Sequence, residues 1–410
     1  MPVTDLANLV RLEDPIFYQQ DVATTYRRLR EEAPVYFYEP LRLWLLSKYE
    51  DVRRASSDLE NFTSTRGAFM NDLRLGGPSA DAFFADSDVI AYLEGPRHTR
   101  LRRAIAPIFG PRRIAGRDER IQNFCDRILN RLAVDEPFDF VDEVAIPVPV
   151  WAVADLCGMP ASDDDIRQIR AWSEQLELLG SPITAEEMAE AAKSVLLVSE
   201  YVQRHIDARL AAGPDHRADD LISMLLKHIG DLSMETINSL VTSVYLGGND
   251  TTRALMSSTA WALARHPDQY ELLRSDPSLV PAAVEETLRW MSPVNGFVRT
   301  VVNDIELRGQ TLRAGDRVLL FFPGANRDEE VFDNPDAFDI TRPRTSTNLA
   351  FGYGPHFCPG QGLARLEGTV LLRRLVERYS RIALAGEPEW AWSMLRNGFS
   401  HLPVTLAGHR

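Results

Sequence analysis

The sequence has few cysteines, no long apolar run and no net positive charge, and each of these absences argues against a class of protein. Three cysteines among 410 residues are too few, and odd in number, for a disulfide framework, which predicts a reducing, cytoplasmic environment. No run of about 18 apolar residues occurs and charges interrupt the first twenty positions, so we expect neither a membrane span nor a signal peptide. The net charge of −14 argues against nucleic acid as the main partner.

Internal repeats, low-complexity tracts and linkers rich in glycine, serine or proline are also missing. A content of 45% hydrophobic and 25% charged residues is ordinary for a globular protein, and a chain of this length can bury a large core. We therefore expect residues 1–410 to form a single domain.

Helical periodicity dominates what is present. Apolar residues recur at three- and four-residue spacings from Ile121 to Leu132 and from Val195 to Ile206, and residues 96–292 are predicted to be almost entirely helical. Strand patterns are short and lie near the chain ends, at Val35–Tyr38, Leu41–Leu46, Val298–Val302 and Arg317–Phe321. The expected fold class is mainly α with a small β-rich lobe. Two stretches with several glycines or prolines, 62–95 and 322–361, are predicted to be irregular.

One cysteine differs from the other two in its surroundings. Cys125 lies in an apolar helical stripe and Cys157 at a helix end that Gly158 stops, so both are predicted to pack in the core. Cys358 lies in Phe-Gly-Tyr-Gly-Pro-His-Phe-Cys-Pro-Gly, residues 351–360, called the cysteine loop below. Its glycines let the backbone wrap around one sulfur, and N–H groups aimed at that sulfur stabilise a thiolate. A zinc site would need more cysteines or histidines nearby, whereas a single thiolate suits haem iron.

The cysteine loop resembles the haem-binding signature of the cytochrome P450 family, Phe-Gly-x-Gly-x-His-x-Cys-x-Gly. All of its fixed positions are matched, by Phe351, Gly352, Gly354, His356, Cys358 and Gly360. The resemblance implies haem b as the cofactor, Cys358 as the axial iron ligand, and Phe351, His356 and Gly360 as cofactor contacts. It also implies the mainly helical fold of that family, with haem between a long central helix and the cysteine loop.

One position departs from the family pattern, because Pro359 follows the cysteine where an aliphatic residue is common. Proline has no N–H, so one potential hydrogen-bond donor to the sulfur is missing. This predicts more charge on the sulfur and a lower reduction potential of the iron.

A long helix is predicted from about Ser233 to His266, with two adjacent glycines at its centre. Each glycine costs a helix about 1 kcal/mol relative to alanine, so Gly247 and Gly248 either admit a flat group or permit a close helix crossing. Thr251 lies four residues after Gly247, so its hydroxyl can bond the Gly247 carbonyl and open the helix locally. The P450 resemblance implies that Asp250 and Thr251 deliver protons to dioxygen, for which Gly247 and Gly248 make room.

The resemblance also implies two sets of charged residues that support the haem. Glu286 and Arg289, three residues apart, match the family's Glu-x-x-Arg and would form a buried network with Arg342 that braces the cysteine loop; considered alone, they would be a surface pair. The resemblance further implies a set of propionate-binding side chains, His98, Arg102, Arg299 and His356.

Substrate contacts and the electron donor are inferred from position in the family. The predicted substrate contacts, each of which could equally be core, are Phe69, Met70, Ser243, Leu246, Asn295, Phe297 and Phe399. This mostly apolar set suits a lipophilic small molecule, with steroids, terpenoids or fatty acids favoured and polyketides or aromatic natural products next. Seven arginines between residues 98 and 120 would steer an acidic ferredoxin or flavodoxin, itself reduced by an NAD(P)H-dependent reductase.

These features predict a haem-thiolate monooxygenase that inserts one oxygen atom of O2 into its substrate. Two alternatives use the same scaffold: a peroxygenase driven by H2O2, and a catalytically silent haem protein that recruits a partner. Peroxygenase members depart from the acid–alcohol pair that Asp250 and Thr251 form. A silent member is expected to lack His98, Arg102 or that pair, and this sequence keeps all of them.

Overall fold

Helices make up most of the structure, a computed structural model that describes residues 6–19, 22–74, 89–159, 162–177, 184–213, 219–228, 230–343 and 347–409. The α-helices in chain order are α1 (Leu6–Leu9), α2 (Val22–Glu32), α3 (Tyr49–Ser57), α4 (Met70–Arg74), α5 (Gly95–Ile105), α6 (Pro111–Ala115), α7 (Asp118–Leu129), α8 (Pro147–Cys157), α9 (Asp163–Glu177), α10 (Ala185–Ala211), α11 (Leu221–Leu225), α12 (Met234–Arg265), α13 (Pro267–Ser275), α14 (Val280–Met291), α15 (Phe322–Ala325) and α16 (Gln361–Arg378).

The strands are short and form two main sheets. They are β1 (Val35–Tyr38), β2 (Leu43–Leu46), β3 (Phe62–Thr63), β4 (Phe138–Asp139), β5 (Gly296–Val301), β6 (Ile305–Leu307), β7 (Gln310–Leu312), β8 (Arg317–Phe321), β9 (Tyr379–Leu384), β10 (Glu389–Trp390), β11 (Phe399–His401) and β12 (Pro403–His409). The larger sheet has the order β1-β2-β8-β5-β3, in which only β2 and β8 are parallel. The smaller has the order β4-β12-β9, while β6 pairs with β7 and β10 pairs with β11.

The predicted fold class, mainly α with small sheets, is confirmed. The helix predicted from Ser233 to His266 is α12, and the Ser233 side chain caps it by accepting the Thr236 N–H. The strand predicted from Leu41 begins only at Leu43, because Glu39–Leu41 form a 3-10 turn. Strands β9 and β12 were not predicted: polarity does not alternate in β9, whereas in β12 Val404 and Leu406 do alternate with less buried residues.

The two stretches predicted to be irregular contain short elements. Strand β3 and helix α4 lie within 62–95, and residues 75–88 are outside the described residues. Within the stretch 322–361 the described residues form α15, a 3-10 turn at Gly354–His356 and the first residue of α16, and the other described residues belong to no helix or strand.

The central helix α12 is the axis of the main hydrophobic core. It packs against α8, α10, α14 and α16, and α16 begins directly after the cysteine loop. Cys125 and Cys157 are fully buried in this core, as predicted, and burial raises the pKa of both thiols. Among the described residues, no helix combines the length and the apolar character needed to cross a bilayer.

Candidate functional site

Main-chain hydrogen bonds close the cysteine loop around the Cys358 sulfur. The Cys358 N–H donates to the Phe351 carbonyl at 3.0 Å, and the Phe357 N–H donates to the Gly354 carbonyl at 3.0 Å. Gly354 has a φ of 72°, and a Cβ there would lie 2.7 Å from the Ser56 carbonyl oxygen. Only glycine satisfies both conditions, because an L side chain disfavours this φ and would collide with α3.

The environment of the sulfur contains opposing influences on its charge. Burial raises the pKa of the Cys358 thiol, whereas the Gly360 N–H, the Arg102 and Arg365 guanidinium groups and the Gln361 N–H stabilise the thiolate and lower that pKa. Coordination to a metal ion would outweigh the effect of burial, because a coordinating thiol is deprotonated outright.

The position of Pro359 leads to a prediction about the bound haem. The backbone N–H groups of Gly360 and Gln361 donate to the sulfur. Pro359, which directly follows Cys358, has no N–H and cannot donate. We expect the Pro359→Leu variant to have a higher midpoint potential than the wild-type protein, because a further donor withdraws charge from the sulfur. Potentiometric titration of both proteins tests this, and an unchanged or lowered potential in the variant would contradict it.

Four basic side chains predicted to bind haem propionates are brought together beside the cysteine loop. The rings of His98 and His356 lie 4.6 Å apart, and Arg102 Nη2 donates to the Phe357 carbonyl at 2.7 Å. Burial and the neighbouring Arg299, His98 and Arg102 lower the pKa of His356 to about 3. Burial also lowers the pKa of Arg299 to about 10.

This basic cluster lacks a matching anion within the described residues. Arg299 is 4% exposed, its Nη1 donates only to the Val298 carbonyl at 2.9 Å, and its Nε has no hydrogen-bond partner there. Glu94 contributes some negative charge, but it accepts hydrogen bonds from Ser64 and Thr63. A buried cation without a full partner costs several kcal/mol, roughly, so the cluster fits a group that brings its own carboxylates. Haem meets this requirement with its two propionates.

A cavity of about 430 Å³ lies beside Cys358. One wall comes from α5 and the turn after it, and the other from residues 355–361. His98, Arg102 and Arg103 share this lining with Cys358. The sulfur and the basic cluster therefore belong to one site.

The central helix carries a partly accessible strip that includes Asp250 and Thr251. Thr251 Oγ1 donates to the Gly247 carbonyl at 3.0 Å, as the spacing predicted. The Asp250 side chain is 28% exposed, and its Oδ1 lies 3.4 Å from Arg253 Nη2. Burial raises the pKa of Asp250 to about 6, and the positive charge of Arg396 opposes that rise. A carboxyl group with such a pKa can both release and accept a proton near neutral pH.

The two central glycines differ in what their missing side chains permit. A Cβ on Gly247 would meet nothing within 4 Å, so this position is open, as expected for an approaching group. A Cβ on Gly248 would lie 2.9 Å from Val153 Cγ2 in α8. Gly248 therefore permits a close helix crossing, while its role in making room for dioxygen stays a prediction.

Glu286, Arg289 and Arg342 form a buried network. Glu286 accepts from Arg289 Nη2 at 2.6 Å and from Arg342 Nε at 3.1 Å. Arg289 also donates to the Asn326 carbonyl at 3.0 Å, and the Asn326 side chain accepts the Leu349 N–H at 2.6 Å. The network is thus connected to the main chain two residues before Phe351. The Arg365 guanidinium also packs over the Phe351 ring, with Cζ 4.5 Å from the ring centre.

The predicted substrate contacts separate into two groups. Ser243, Leu246, Phe69 and Phe297 are half-buried, and the rings of Phe69 and Phe297 meet edge to face at 5.6 Å. These four retain surface that a ligand could contact.

The other three predicted contacts are enclosed by protein, and their role as substrate contacts stays a prediction. Phe399 is fully buried against Trp261 and Trp390, and Met70 lies in the core beneath the larger sheet. Asn295 is 1% exposed and donates through Nδ2 to the Met394 carbonyl at 3.1 Å.

The arginine-rich stretch is less basic at the surface than its sequence suggests. Arg117 is buried and pairs with Asp155, as does Arg120, while Arg113 pairs with Asp219 at 2.7 Å. Three exposed arginines remain in addition to the half-buried Arg102, namely Arg100, Arg103 and Arg112.

Three buried polar side chains near the central helix were not predicted from the sequence. Arg396 acts electrostatically on Asp250, Glu367 lies in α16 with its pKa raised by burial, and Asn249 precedes Asp250. Among the described residues, neither the Asn249 amide nor Glu367 Oε2 has a hydrogen-bond partner. Asn249 and Glu367 lie in helical patterns, where a polar residue is usually solvated, and Arg396 lies in a connection between strands, so no spacing in the sequence indicates that these side chains are buried.

Comparison with known proteins gives one consistent result. The cytochrome P450 family model matches residues 179–390. A vitamin D(3) 25-hydroxylase of Pseudonocardia autotrophica is 35% identical, over 95% of this chain and 94% of the relative. A 6-deoxyerythronolide B hydroxylase of Saccharopolyspora erythraea is 32% identical, over 95% of this chain and 97% of the relative. The crystal structure of CalO2 superposes with a TM-score of 0.87 at 28% identity and covers 97% of this chain and 99% of its own. The chain therefore belongs to the cytochrome P450 family, the haem-thiolate monooxygenases.

Proposed function

We propose that this P450 hydroxylates a lipophilic small molecule and takes its electrons from a separate ferredoxin or flavodoxin. The observation that carries the proposal is the strip on the central helix, where Asp250 and the Thr251 hydroxyl stand beside the open Gly247 position. This arrangement provides a proton donor with a pKa near the working range and a hydroxyl next to it along the helix.

Each cofactor-binding residue has a distinct task in this proposal. The bound haem supplies the oxygen activation that no amino acid side chain provides. Cys358 ligates its iron, and the His98, Arg102, Arg299 and His356 cluster holds its propionates. The buried network around Glu286 supports the cysteine loop through Asn326 and Leu349. These residues fix the position of the haem without taking part in proton transfer.

Asp250 and Thr251 move protons. Asp250 is partly exposed and takes up a proton from solvent, because its pKa of about 6 leaves it mostly ionised at neutral pH but easily protonated. Thr251 positions the proton at its Oγ1, which can exchange its hydrogen bond to the Gly247 carbonyl for one to a bound ligand.

The half-buried side chains support a lipophilic substrate. Phe69, Phe297 and Leu246 offer apolar surface, and Ser243 offers one hydroxyl for orientation. The two relatives described above are named for the hydroxylation of vitamin D(3) and of 6-deoxyerythronolide B. We propose steroid-, terpenoid- or fatty-acid-like substrates first and polyketides next.

The proposed electron donor is acidic. Arg103 lines the cavity beside Cys358, and Arg100 and Arg112 are exposed in the same arginine-rich stretch. A small basic surface on a protein of net charge −14 would orient an acidic carrier toward this side of the site.

The test of the proton relay is the Thr251→Ala variant. A spectral binding screen of steroids, terpenes, fatty acids and polyketides first identifies a ligand for the assay. With that ligand, NADPH, ferredoxin reductase and ferredoxin, we expect the variant to keep the spectrum of the bound haem but to release peroxide in place of product. The physical reason is that alanine cannot position the proton that Thr251 Oγ1 holds.

The Thr251→Ser variant is the matched control. It keeps the hydroxyl and loses only a methyl group, so we expect product per NADPH close to that of the wild-type protein. Unchanged coupling in Thr251→Ala would remove Thr251 from the relay. Product formation with H2O2 alone, equal to that with the electron carriers, would contradict the proposed dependence on a separate donor.

A further inference from the structure

Arg396 is a buried cation on a segment that the proposed mechanism does not use. It lies in the connection between β10 and β11; residues 389–401 are called the C-terminal hairpin below. Arg396 is 5% exposed, and its Nη1 donates to the Phe399 carbonyl at 3.4 Å. Its backbone is also held, because its N–H donates to Ser393 Oγ at 3.0 Å and the residue forms a β-bridge with Val294.

The C-terminal hairpin is fixed against the central helix one turn after Asp250. A Cβ on Gly398 would lie 2.9 Å from Ala254 Cβ and 3.8 Å from Arg396 Nη1. Ala254 is four residues after Asp250, and residues so spaced on a helix lie on one face with Cβ atoms about 6 Å apart. The Arg396 guanidinium therefore lies beside the face of the helix that carries Asp250.

In the part of the chain that the structure describes, two cations act on Asp250. Arg253 belongs to the central helix itself and lies 3.4 Å from Asp250 Oδ1. Arg396 belongs to the C-terminal hairpin, and each of the pair shifts the pKa of the other toward the charged form. Burial disfavours the charged form of both side chains, so the opposite charge of each one stabilises the ionised form of the other.

We propose that Arg396 is a positioning residue that keeps Asp250 ionised between proton transfers. The C-terminal hairpin then sets the pH range in which the relay operates. This inference rests on the proposed role of Asp250, but the pairing itself can be measured without turnover.

The sign of the effect follows from the charges. Removal of the cation destabilises the carboxylate and leaves its burial unchanged, so the pKa of Asp250 rises above its value of about 6. At neutral pH a larger fraction of the Asp250 side chains is then protonated, and a protonated carboxyl group cannot accept a further proton from solvent.

The experiment is an infrared titration of the ferric holoenzyme. The band of the protonated Asp250 carboxyl is the one that disappears in Asp250→Asn. We expect its midpoint to move upward by about one pH unit or more in Arg396→Gln, since a close opposite charge shifts a carboxyl by that amount. Arg396→Lys, which keeps the charge, should restore the midpoint to near the wild-type value.

Two further variants keep the test decisive. Arg327→Gln removes another buried arginine whose pKa burial lowers to about 10, but that arginine pairs with Asp336, so it should leave the Asp250 midpoint unchanged. Gly398→Ala retains Arg396 but forces the hairpin away from Ala254, and it should move the midpoint upward by a smaller amount. The Gly398→Ala variant also tests the Arg396–Asp250 pairing if Arg396→Gln fails to fold.

An unchanged midpoint in Arg396→Gln, or in Gly398→Ala where the first does not fold, would overturn the pairing. The proposed function fails in a different way. If the midpoint moves but the pH dependence of peroxide release does not move with it, the pairing stands and Asp250 is not the proton donor.

Discussion

Replacement of Cys358 by alanine is expected to abolish the absorption band of the reduced CO complex that marks thiolate-ligated haem. Cys358 carries the only sulfur of the cysteine loop, so it alone can supply thiolate ligation, and the Gly360 and Gln361 N–H groups are directed at it. Alanine leaves those donors and the buried basic cluster in place but offers no ligand. We expect haem per chain to fall at least about tenfold, because loss of even a partner that only supports a metal ligand typically costs about 10–100-fold in metal affinity. The pyridine haemochrome and the CO difference spectrum measure this loss.

Cys157→Ala and Cys125→Ala are the matched controls for this prediction. Both cysteines are fully buried in the core, away from the cysteine loop, and burial raises their pKa values, so neither is a thiolate at neutral pH. Both variants should retain the wild-type spectrum. A normal band in Cys358→Ala would refute the assignment of the ligand, and circular dichroism of the same samples separates loss of ligand from loss of fold.

The parts of the site that the sequence predicted are those in which spacing alone determines geometry. Thr251 reaches the Gly247 carbonyl because a helix places residues four apart above one another, and Glu286 meets Arg289 for a similar reason. Gly354 was predicted as part of a tight loop, and its positive φ follows from that loop. The central helix was predictable because its long apolar face persists over some nine turns, as expected at about 3.6 residues per turn.

The parts that the sequence did not predict depend on contacts between distant segments. Gly248 was expected to make room for dioxygen, but whether a glycine faces a ligand or a neighbouring helix depends on Val153, about a hundred residues earlier. Phe399 was expected at the substrate, yet Trp261 and Trp390 enclose it. The sequence contains no pattern that predicts the effect of Arg396 on Asp250, because this effect arises only when the C-terminal hairpin packs on the central helix.

The surface charge of the arginine-rich stretch also depends on contacts between distant segments, which the sequence does not reveal. A count of arginines predicts a basic surface, but charges cancel locally wherever the fold brings in acids from elsewhere. Asp155 and Asp219 form ion pairs with three of the seven arginines, and neither aspartate is adjacent to them in sequence. The docking surface proposed for the electron donor is consequently smaller than the sequence implied.

Glu286→Gln is expected to destabilise the protein by about 3–5 kcal/mol, the cost of breaking a buried ion pair by neutralising one partner. The Glu286 and Arg289 side chains are 4% and 3% exposed, so water cannot replace the lost charge. A loss of this size is a large fraction of the roughly 5–15 kcal/mol that stabilises a typical native domain. Denaturant unfolding of the holoenzyme measures it, and haem per chain should fall as well, since the network connects through Asn326 to Leu349 before the cysteine loop.

Glu285→Gln is the matched control, one residue earlier on the same helix. Glu285 also pairs with an arginine, Arg365, but the two side chains are 24% and 26% exposed, so solvent screens the pair and we expect a loss of about 1 kcal/mol or less. The comparison isolates burial, because the chemical change is identical in the two variants. Equal losses of stability in both variants would contradict the role assigned to the buried network. A large loss of stability in Glu286→Gln with full haem occupancy would show that the network supports the fold but not the cysteine loop.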